Sequence, residues 1–156
     1  MMRQPKFMTD TDPTGIHNCV AKAARQASRR LTQFYDAQLA PSGLRSTQYA
    51  ILAELERAGE LGIGITELAR IMVMERSAMG QTLRPLERDG LIEFGTSPAD
   101  ARRKPLRLTD NGLRRVHEAR PLWEGAQTRV LDLFGQDPIA RLRSELLGIA
   151  AEDRLS

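Results

Sequence analysis

The hydrophobic period of the chain changes twice between residues 66 and 110, and this limits the possible folds more than any other feature. A segment over Glu67–Val73 has helical spacing, and Thr66 is the expected N-cap of this short helix. A second helical segment runs over Arg76–Asp89 after a short break, and Gly90 suits the position just after its C-terminus. The pattern therefore predicts two short helices joined by a tight turn.

A β-hairpin is predicted to follow the second of these helices at once. Residues 91–94 alternate apolar and polar side chains, which is the period of a strand, and residues 106–108 alternate again. The polar and basic segment Ser97–Lys104 lies between them and suits the tip of the hairpin. Helix, tight turn, helix and hairpin in this order predict a winged helix-turn-helix.

Longer helical patterns flank this central part on both sides. One covers Ile16–Leu39 with an apolar stripe at three- and four-residue steps, and another covers Ser46–Ala58. After the hairpin, Thr109 is expected to cap a helix over Asp110–Phe134, and a last helix covers about Ile139–Ala151. The sequence therefore predicts a mainly α (α+β) fold whose terminal helices pack on each other or on a second copy of the chain.

The predicted organisation is a disordered polar tail over residues 1–15 and a single domain over residues 16–151. The winged helix-turn-helix covers about 44–110, and the expected dimerisation helices cover about 16–39 and 110–151. The net charge of +3 is a weak indication of a polyanionic partner. Aromatic residues make up only 4% of the chain, which argues against a stacking platform for single-stranded nucleic acid.

The helix over Arg76–Asp89 has two chemically different faces. Met79, Leu83 and Leu86 recur at spacings of four and three, so this apolar face can anchor the helix to the core. The other face carries hydroxyl, amide and guanidinium groups, which hydrogen-bond base edges and phosphates in the major groove. The alternative is an ordinary solvated face, but a position between a short helix and a basic hairpin favours recognition. The predicted DNA-binding residues of this helix are Arg76, Ser77, Gln81, Thr82, Arg84 and Arg88.

The hairpin tip concentrates positive charge in a few residues. Arg102, Arg103 and Lys104 lie there, and a basic wing can place an arginine in a narrow minor groove, where the negative potential is concentrated. Phosphate repels Asp100, so this carboxylate is expected to pair with Arg102 and hold its guanidinium in place. The alternative is a solvated charged loop. These four residues complete the predicted DNA interface.

Three stretches of the sequence resemble one family of regulators. The run from Asp100 to Gly112 resembles the D-x-R-x-x-x-x-x-L-T-x-x-G wing signature of the MarR family (multiple antibiotic resistance regulators). Residues 86–92, Leu-Glu-Arg-Asp-Gly-Leu-Ile, resemble that family's junction between recognition helix and wing, and residues 43–49 resemble its segment entering the second helix. The order of elements matches as well, so the resemblance covers roughly residues 16–151.

The resemblance implies a homodimer in which the first and last helices interlock. Each winged lobe would put one recognition helix into one half-site of a pseudo-palindromic double-stranded DNA operator, with half-site centres on the order of 34 Å apart. Family members usually repress transcription, and many release DNA when a small phenolic or aromatic carboxylate binds near the junction of dimer and lobe. We therefore expect a cytoplasmic repressor that such an effector releases.

An effector pocket is expected between the first, second and fifth helices. Aromatic side chains would line it, and Arg25 or His117 would meet a carboxylate. Each of these residues also suits the core or the dimer interface. The aromatic candidates are Phe34, Tyr35, Tyr49 and Trp123.

Cys19 is the single cysteine, which excludes an internal disulfide. One branch of the family senses organic hydroperoxides through a cysteine near the start of the first helix, so a thiol-based redox-sensing regulator is an alternative function. Here the cysteine is displaced from that position, and Arg25 stands near the place of that branch's helper tyrosine. The favoured interpretation of Cys19 is a small apolar residue.

Catalysis is not expected from these residues. His17 and His117 are the only histidines, and neither has a second ligand at a metal-like spacing. The sequence contains no glycine-rich phosphate loop and no nucleophile elbow. We expect no metal, no cofactor and no membrane partner. A protein-interaction module that kept the winged fold but lost DNA is a further alternative, and the basic hairpin argues against it.

Overall fold

The periodic segments of the sequence form six helices and one hairpin in the part of the chain that is described here. The computed structural model describes residue 15 and residues 18–96 and 104–153. The elements are α1 (Val20–Leu39), α2 (Ser46–Ala58), α3 (Ile65–Ile71), α4 (Arg76–Arg88), β1 (Ile92–Phe94), β2 (Leu106–Leu108), α5 (Asp110–Phe134) and α6 (Gln136–Ala150). The predicted mainly helical fold with a small antiparallel sheet is confirmed.

The hairpin forms where the side-chain period drops to two. β1 and β2 pair antiparallel, with Ile92 opposite Leu108 and Phe94 opposite Leu106. Ile63, in the turn before α3, adds a short bridge to this sheet through two backbone hydrogen bonds with Leu106, of 2.8 and 3.1 Å. The start of the helix-turn-helix is therefore held directly against the second strand.

One hydrophobic core lies between α2, the helix-turn-helix, the hairpin and the first half of α5. Its residues come from the apolar stripe of each helix and from the inward positions of the strands. The largest fully buried side chains are those of Leu39, Ile51, Leu52, Leu55, Leu68, Met79, Leu83, Leu86, Leu106 and Val116.

The N-terminus of α5 is fixed on the junction between α4 and β1. The Thr109 hydroxyl accepts a hydrogen bond from the backbone N–H of Gly112 (3.0 Å), which caps the helix as predicted, and donates one to the carbonyl of Gly90 (2.6 Å). The backbone N–H of Thr109 also bonds the carbonyl of Leu91 (3.2 Å). A Cβ atom on Gly112 would lie 1.9 Å from that same carbonyl oxygen, so only glycine permits this approach.

We predict that Gly112→Ala lowers the free energy of unfolding by roughly 1–3 kcal/mol, because α5 must move away from the Leu91 carbonyl. Gly125→Ala, in the same helix, is the matched control, since a Cβ at that position meets no atom within 4 Å. It is expected to raise stability by up to about 1 kcal/mol through helix propensity. Urea denaturation measures both variants, and equal stabilities would contradict the close-approach argument.

Three predicted helix starts differ from those observed. The last helix begins at Gln136 and not at about Ile139. Thr66 is not the N-cap of α3: Gly64 takes that position and Ile65 begins the helix, because the bridge at Ile63 sets the extended backbone just before it. The first helix was predicted from Ile16, whereas α1 begins at Val20. The predicted N-terminal tail lies outside the described residues, apart from residue 15.

Val73 occupies a backbone conformation that normally favours glycine. It follows the end of α3 with φ 51°, and the N–H groups of Val73 and Met74 bond the carbonyls of Arg70 (3.2 Å) and Ala69 (2.8 Å). This is the Schellman arrangement that ends many helices, usually with glycine in the left-handed position. The side chain is 69% exposed, so packing does not offset the strain.

We predict that Val73→Gly raises the free energy of unfolding by about 1 kcal/mol, since glycine adopts a positive φ without a steric penalty. Chemical denaturation measures the change. A Val73→Ala variant removes the branched side chain but keeps a Cβ, so it should recover less stability than the glycine variant. A glycine variant less stable than the unmodified chain would contradict this account of the turn.

The terminal helices leave a large apolar surface uncovered. α6 is exposed along nearly its whole length, and so is α1 from Val20 to Thr32. The exposed large apolar side chains of these helices and of the end of α5 are those of Val20, Leu31, Leu133, Phe134, Leu142, Leu146, Leu147 and Ile149. None of the described helices combines the length and apolar character that crossing a membrane requires.

Candidate nucleic-acid interface

Helix α4 separates its apolar and polar faces as the sequence indicates. Met79, Leu83 and Leu86 are buried in the core. The side chains of Ser77, Gln81, Arg84 and Arg88 lie on the other side of the helix and are all exposed. This arrangement fixes the helix through one face and leaves hydrogen-bonding groups on the other free to meet a ligand.

The predicted DNA-binding residues of α4 differ in whether their polar groups already have a hydrogen-bond or ion-pair partner among the described residues. Arg76 and Arg84 are exposed and make no ion pair with a described residue, so both guanidinium groups are available. Arg88 bonds the adjacent Asp89 (Nε to Oδ1, 3.1 Å), which is a weak exposed contact. Thr82 is half-buried, and its hydroxyl donates to the carbonyl of Ala78 (2.9 Å). Thr82 therefore lies at the side of the polar face, with its hydroxyl already engaged.

A cleft of about 950 Å³ separates the start of α4 from the base of the hairpin. Arg76 and Lys104 both line it, so two cations face the same space. Thr66 and Glu67, at the start of α3, and Phe94, at the end of β1, complete much of the wall. A groove with cations on two sides suits a phosphate backbone, because positive groups on both walls attract it.

The tip of the wing falls outside the described residues, and with it Asp100, Arg102 and Arg103. Lys104 is described and exposed just before β2. At the base of the wing, the Arg107 side chain fills the space above Gly95, where an added Cβ would lie 3.0 Å from Arg107 Nε. This packing lies within the base of the hairpin, between the residue that follows β1 and a side chain of β2.

The predicted effector residues form two aromatic pairs. Tyr49 is buried and stacks on Trp123, with ring centroids 5.9 Å apart and an interplanar angle of 30°. Phe34 meets Tyr35 edge to face at 5.4 Å. The Tyr35 hydroxyl donates to the side-chain amide oxygen of Gln127 (Oε1), and partial burial raises the pKa of Tyr35. Both pairs join the first two helices to α5, and neither lines the cleft beside α4.

The two charged candidates for the effector site, His117 and Arg25, lie on different helices. His117 is exposed and bonds Glu56 (Nε2 to Oε1, 2.9 Å). Arg120 also pairs with Glu56. The hydrogen bond between Arg120 and Tyr49 raises the pKa of Arg120, and the negative charge of Glu56 raises it further. Arg25 is exposed on α1 and makes no ion pair with a described residue.

Sequence reasoning missed Glu56, Arg120 and Gln127. His117 and Arg120 are three residues apart on α5, which places them on one face, but their shared partner on α2 lies more than 60 residues away in sequence. A non-local contact of this kind leaves no periodic signal in the sequence.

Cys19 lies at the N-cap position of α1 as a half-buried free thiol. Its backbone is extended, and its carbonyl accepts the first helical hydrogen bond, from Ala23 (3.1 Å). The side chain does not cap the helix.

Comparison with known proteins agrees with this geometry. Residues 44–104 match the model of the MarR family. The M. tuberculosis transcriptional regulator MosR, solved in complex with DNA, is 37% identical, and the match covers 85% of this chain and 96% of that chain with a TM-score of 0.73. The transcriptional repressor CouR, bound to p-coumaroyl-CoA, is 27% identical, with coverage of 92% and 99% and a TM-score of 0.77.

S. aureus MepR, in a complex with DNA, shares the fold at 20% identity, with a TM-score of 0.72 and coverage of 84% and 96%. A search of curated protein sequences gave no match. The fold and the polar face of α4 define a winged helix-turn-helix protein. The chain belongs to the MarR family, whose members are transcriptional regulators and not enzymes.

We predict that Tyr49→Ala lowers the free energy of unfolding by roughly 3–5 kcal/mol, because it removes a buried ring that stacks on Trp123. Trp123 is the single tryptophan, so its fluorescence emission should also move to longer wavelength as water reaches the indole. Tyr49→Phe keeps the ring and removes only the hydroxyl, so it is the matched control. An unchanged emission in the alanine variant would contradict the stacked arrangement.

Proposed function

We propose that this protein is a sequence-specific double-stranded DNA-binding repressor that acts as a homodimer on a pseudo-palindromic operator in the cytoplasm. The observation that carries the proposal is the exposed polar face of α4, which presents Ser77, Gln81 and Arg84. The first residue of the same helix, Arg76, lines a cleft that Lys104 also lines. Amide and guanidinium groups on such a face suit base edges in the major groove, and Arg88 suits a phosphate.

The wing completes the proposed interface. Lys104, at its base, contributes to the cleft beside α4, and Asp100, Arg102 and Arg103 are assigned to the tip on the basis of sequence. Because MosR and CouR have both been solved with DNA, the same partner is the natural proposal for this chain.

The proposed homodimer uses the apolar surface of the terminal helices. Isolated exposed leucines need no explanation, but eight large apolar side chains on α1, α6 and the end of α5 form a surface that favours association. We assign residues 16–39 and 110–151 to dimerisation and residues 44–110 to the winged lobe, all within one domain over residues 16–151. Two lobes related by a twofold axis would address two half-sites about one DNA turn apart, on the order of 34 Å.

The proposed effector is a small aromatic or phenolic carboxylate. CouR binds p-coumaroyl-CoA, a thioester of such an acid. The aromatic pairs of this chain link α1 and α2 to α5, so a ligand that separates them would change how the lobes stand relative to the dimer helices. Trp123 fluorescence offers a direct readout of effector binding.

Redox sensing through Cys19 is the second candidate function. The observation in its favour is a free, half-buried thiol at the N-terminus of α1, the part of the first helix where a redox-sensing cysteine is expected. Loss of DNA binding on peroxide treatment, restored by a thiol reductant and absent in Cys19→Ser, would support it. A protein-interaction module without DNA binding is the remaining alternative.

The test is a mobility shift with DNA duplexes selected from a random library, measured across a salt series. Affinity should fall steeply with salt, since each neutralised phosphate contributes about −0.9 to the slope of log K against log salt. We predict that Arg84→Ala weakens binding to the selected duplex by roughly 1–3 kcal/mol.

Arg57→Ala is the matched control, because it removes the same charge from α2, where Arg57 is paired with Glu54. It should change affinity by less than about threefold if only distant charge is lost. Equal effects of the two substitutions, or selection that recovers no preferred duplex, would argue against recognition by α4 and in favour of the interaction module.

A further inference from the structure

Glu75 places a carboxylate at the end of α4 that would enter the major groove first. It is the N-cap residue of the helix, with extended backbone (φ −62°, ψ 141°), and its side chain does not cap. The residue is exposed, and its carboxylate makes no ion pair or hydrogen bond with a described residue, although its backbone carbonyl accepts from the N–H of Met79 (2.9 Å). Arg76 and Ser77 of the proposed interface follow it directly in sequence.

Two of the other acidic residues near this surface are paired with arginines. Glu67, on α3, pairs with Arg70 (2.7 Å), and this hydrogen bond lowers the pKa of Glu67. Asp89, at the other end of α4, pairs with Arg88. Glu75 has no such partner among the described residues, and it lies at the end of α4 that the proposed function brings closest to DNA. Phosphates repel the Glu75 carboxylate whatever the DNA sequence, so Glu75 lowers the affinity for DNA in general.

Base edges in the major groove include one partner that suits a carboxylate well. The amino group on N4 of cytosine donates a hydrogen bond to the groove, and glutamate or aspartate accepts it. Guanine presents two acceptors there, and thymine presents an acceptor and a methyl group, so both reject a carboxylate. Adenine also donates from its N6 amino group, but its N7 acceptor lies beside that group and repels a carboxylate, so the repulsion is best offset at a site with cytosine in the right place.

We propose that Glu75 is a specificity-determining residue whose carboxylate accepts a hydrogen bond from a cytosine amino group in each half-site. This assignment rests on the proposed function. It makes Glu75 a residue that weakens binding to random DNA and strengthens binding to the operator. Both effects increase the discrimination between the operator and random DNA. The first of them is the repulsive element that specific interfaces need.

The experiment compares two affinities for each variant. Duplexes are first selected from a random library with the unmodified protein. The Kd is then measured by fluorescence anisotropy at one salt concentration, for the best selected duplex and for a random-sequence duplex. Glu75→Gln is the test variant, and Glu87→Gln is the matched control. Glu87 is also an exposed, unpaired carboxylate of α4, but it lies twelve residues further on, roughly 18 Å along the helix axis.

We expect Glu75→Gln to bind the random duplex several times more tightly and the selected duplex more weakly. The ratio of the two affinities should fall roughly tenfold, the scale of one good base contact. Glu87→Gln should move both affinities in the same direction and leave their ratio within about twofold, because it removes only long-range repulsion. Replacing one particular cytosine in each half-site should weaken the unmodified protein roughly tenfold and Glu75→Gln much less.

Two results would overturn the assignment. If Glu75→Gln tightens both duplexes equally, the carboxylate only repels DNA, and if neither affinity changes, it does not face DNA. Thermal melting of the variant accompanies the measurement, and the base-pair replacement tests the contact with the unmodified protein alone. Failure of the proposed function itself is distinguishable, because the unmodified protein would then select no preferred duplex.

Discussion

The contact between Thr109, Gly112 and the backbone of residues 90–91 is the constraint on which the rest of the structure depends. Through it the long helix α5 begins directly on the junction between the recognition helix and the wing. The approach is so close that a single methyl group would prevent it. Because α5 also carries Val116 and Ala119 into the core and continues to the exposed terminal helices, one rigid element joins the lobe to the surface proposed for dimerisation.

The charged groups around α4 include some that attract DNA and one that repels it. Arg76, Arg84 and Lys104 are exposed cations that make no ion pair with a described residue, and they supply an attraction to DNA that does not depend on the DNA sequence. The proposed readout of base edges by groups such as those of Gln81 requires a helix that is fixed in register, and the burial of Met79 and Leu86 provides that fixation. In the proposed role of Glu75, a carboxylate that pairs with no described residue lies at the N-terminal end of the same helix and opposes binding wherever it finds no hydrogen-bond donor.

The sequence predicts the elements of this fold well because each carries a local signal. The apolar spacing of α4, the alternation of the hairpin and the Thr109 cap all depend on neighbours within a few residues. The predicted start of α3 was wrong. A bridge between Ile63 and Leu106, which are distant in sequence, decides where the extended backbone before the helix ends. The Glu56–Arg120 contact and the stacking of Tyr49 on Trp123 could not be predicted from the sequence, because they too join residues that are distant in sequence. The assignments of the individual DNA- and effector-binding residues stay predictions.

The central claim is that two copies of α4 bind one operator from a symmetric dimer. A hydroxyl-radical footprint of the protein on its selected duplex tests this most directly, since it reports which sugars are covered at single-nucleotide resolution. The account predicts two protected groups of equal extent, related by the twofold symmetry of the operator, with centres about one helical turn apart on the same face of the DNA. A single protected group with no symmetric counterpart, or uniform protection along any sequence, would contradict it.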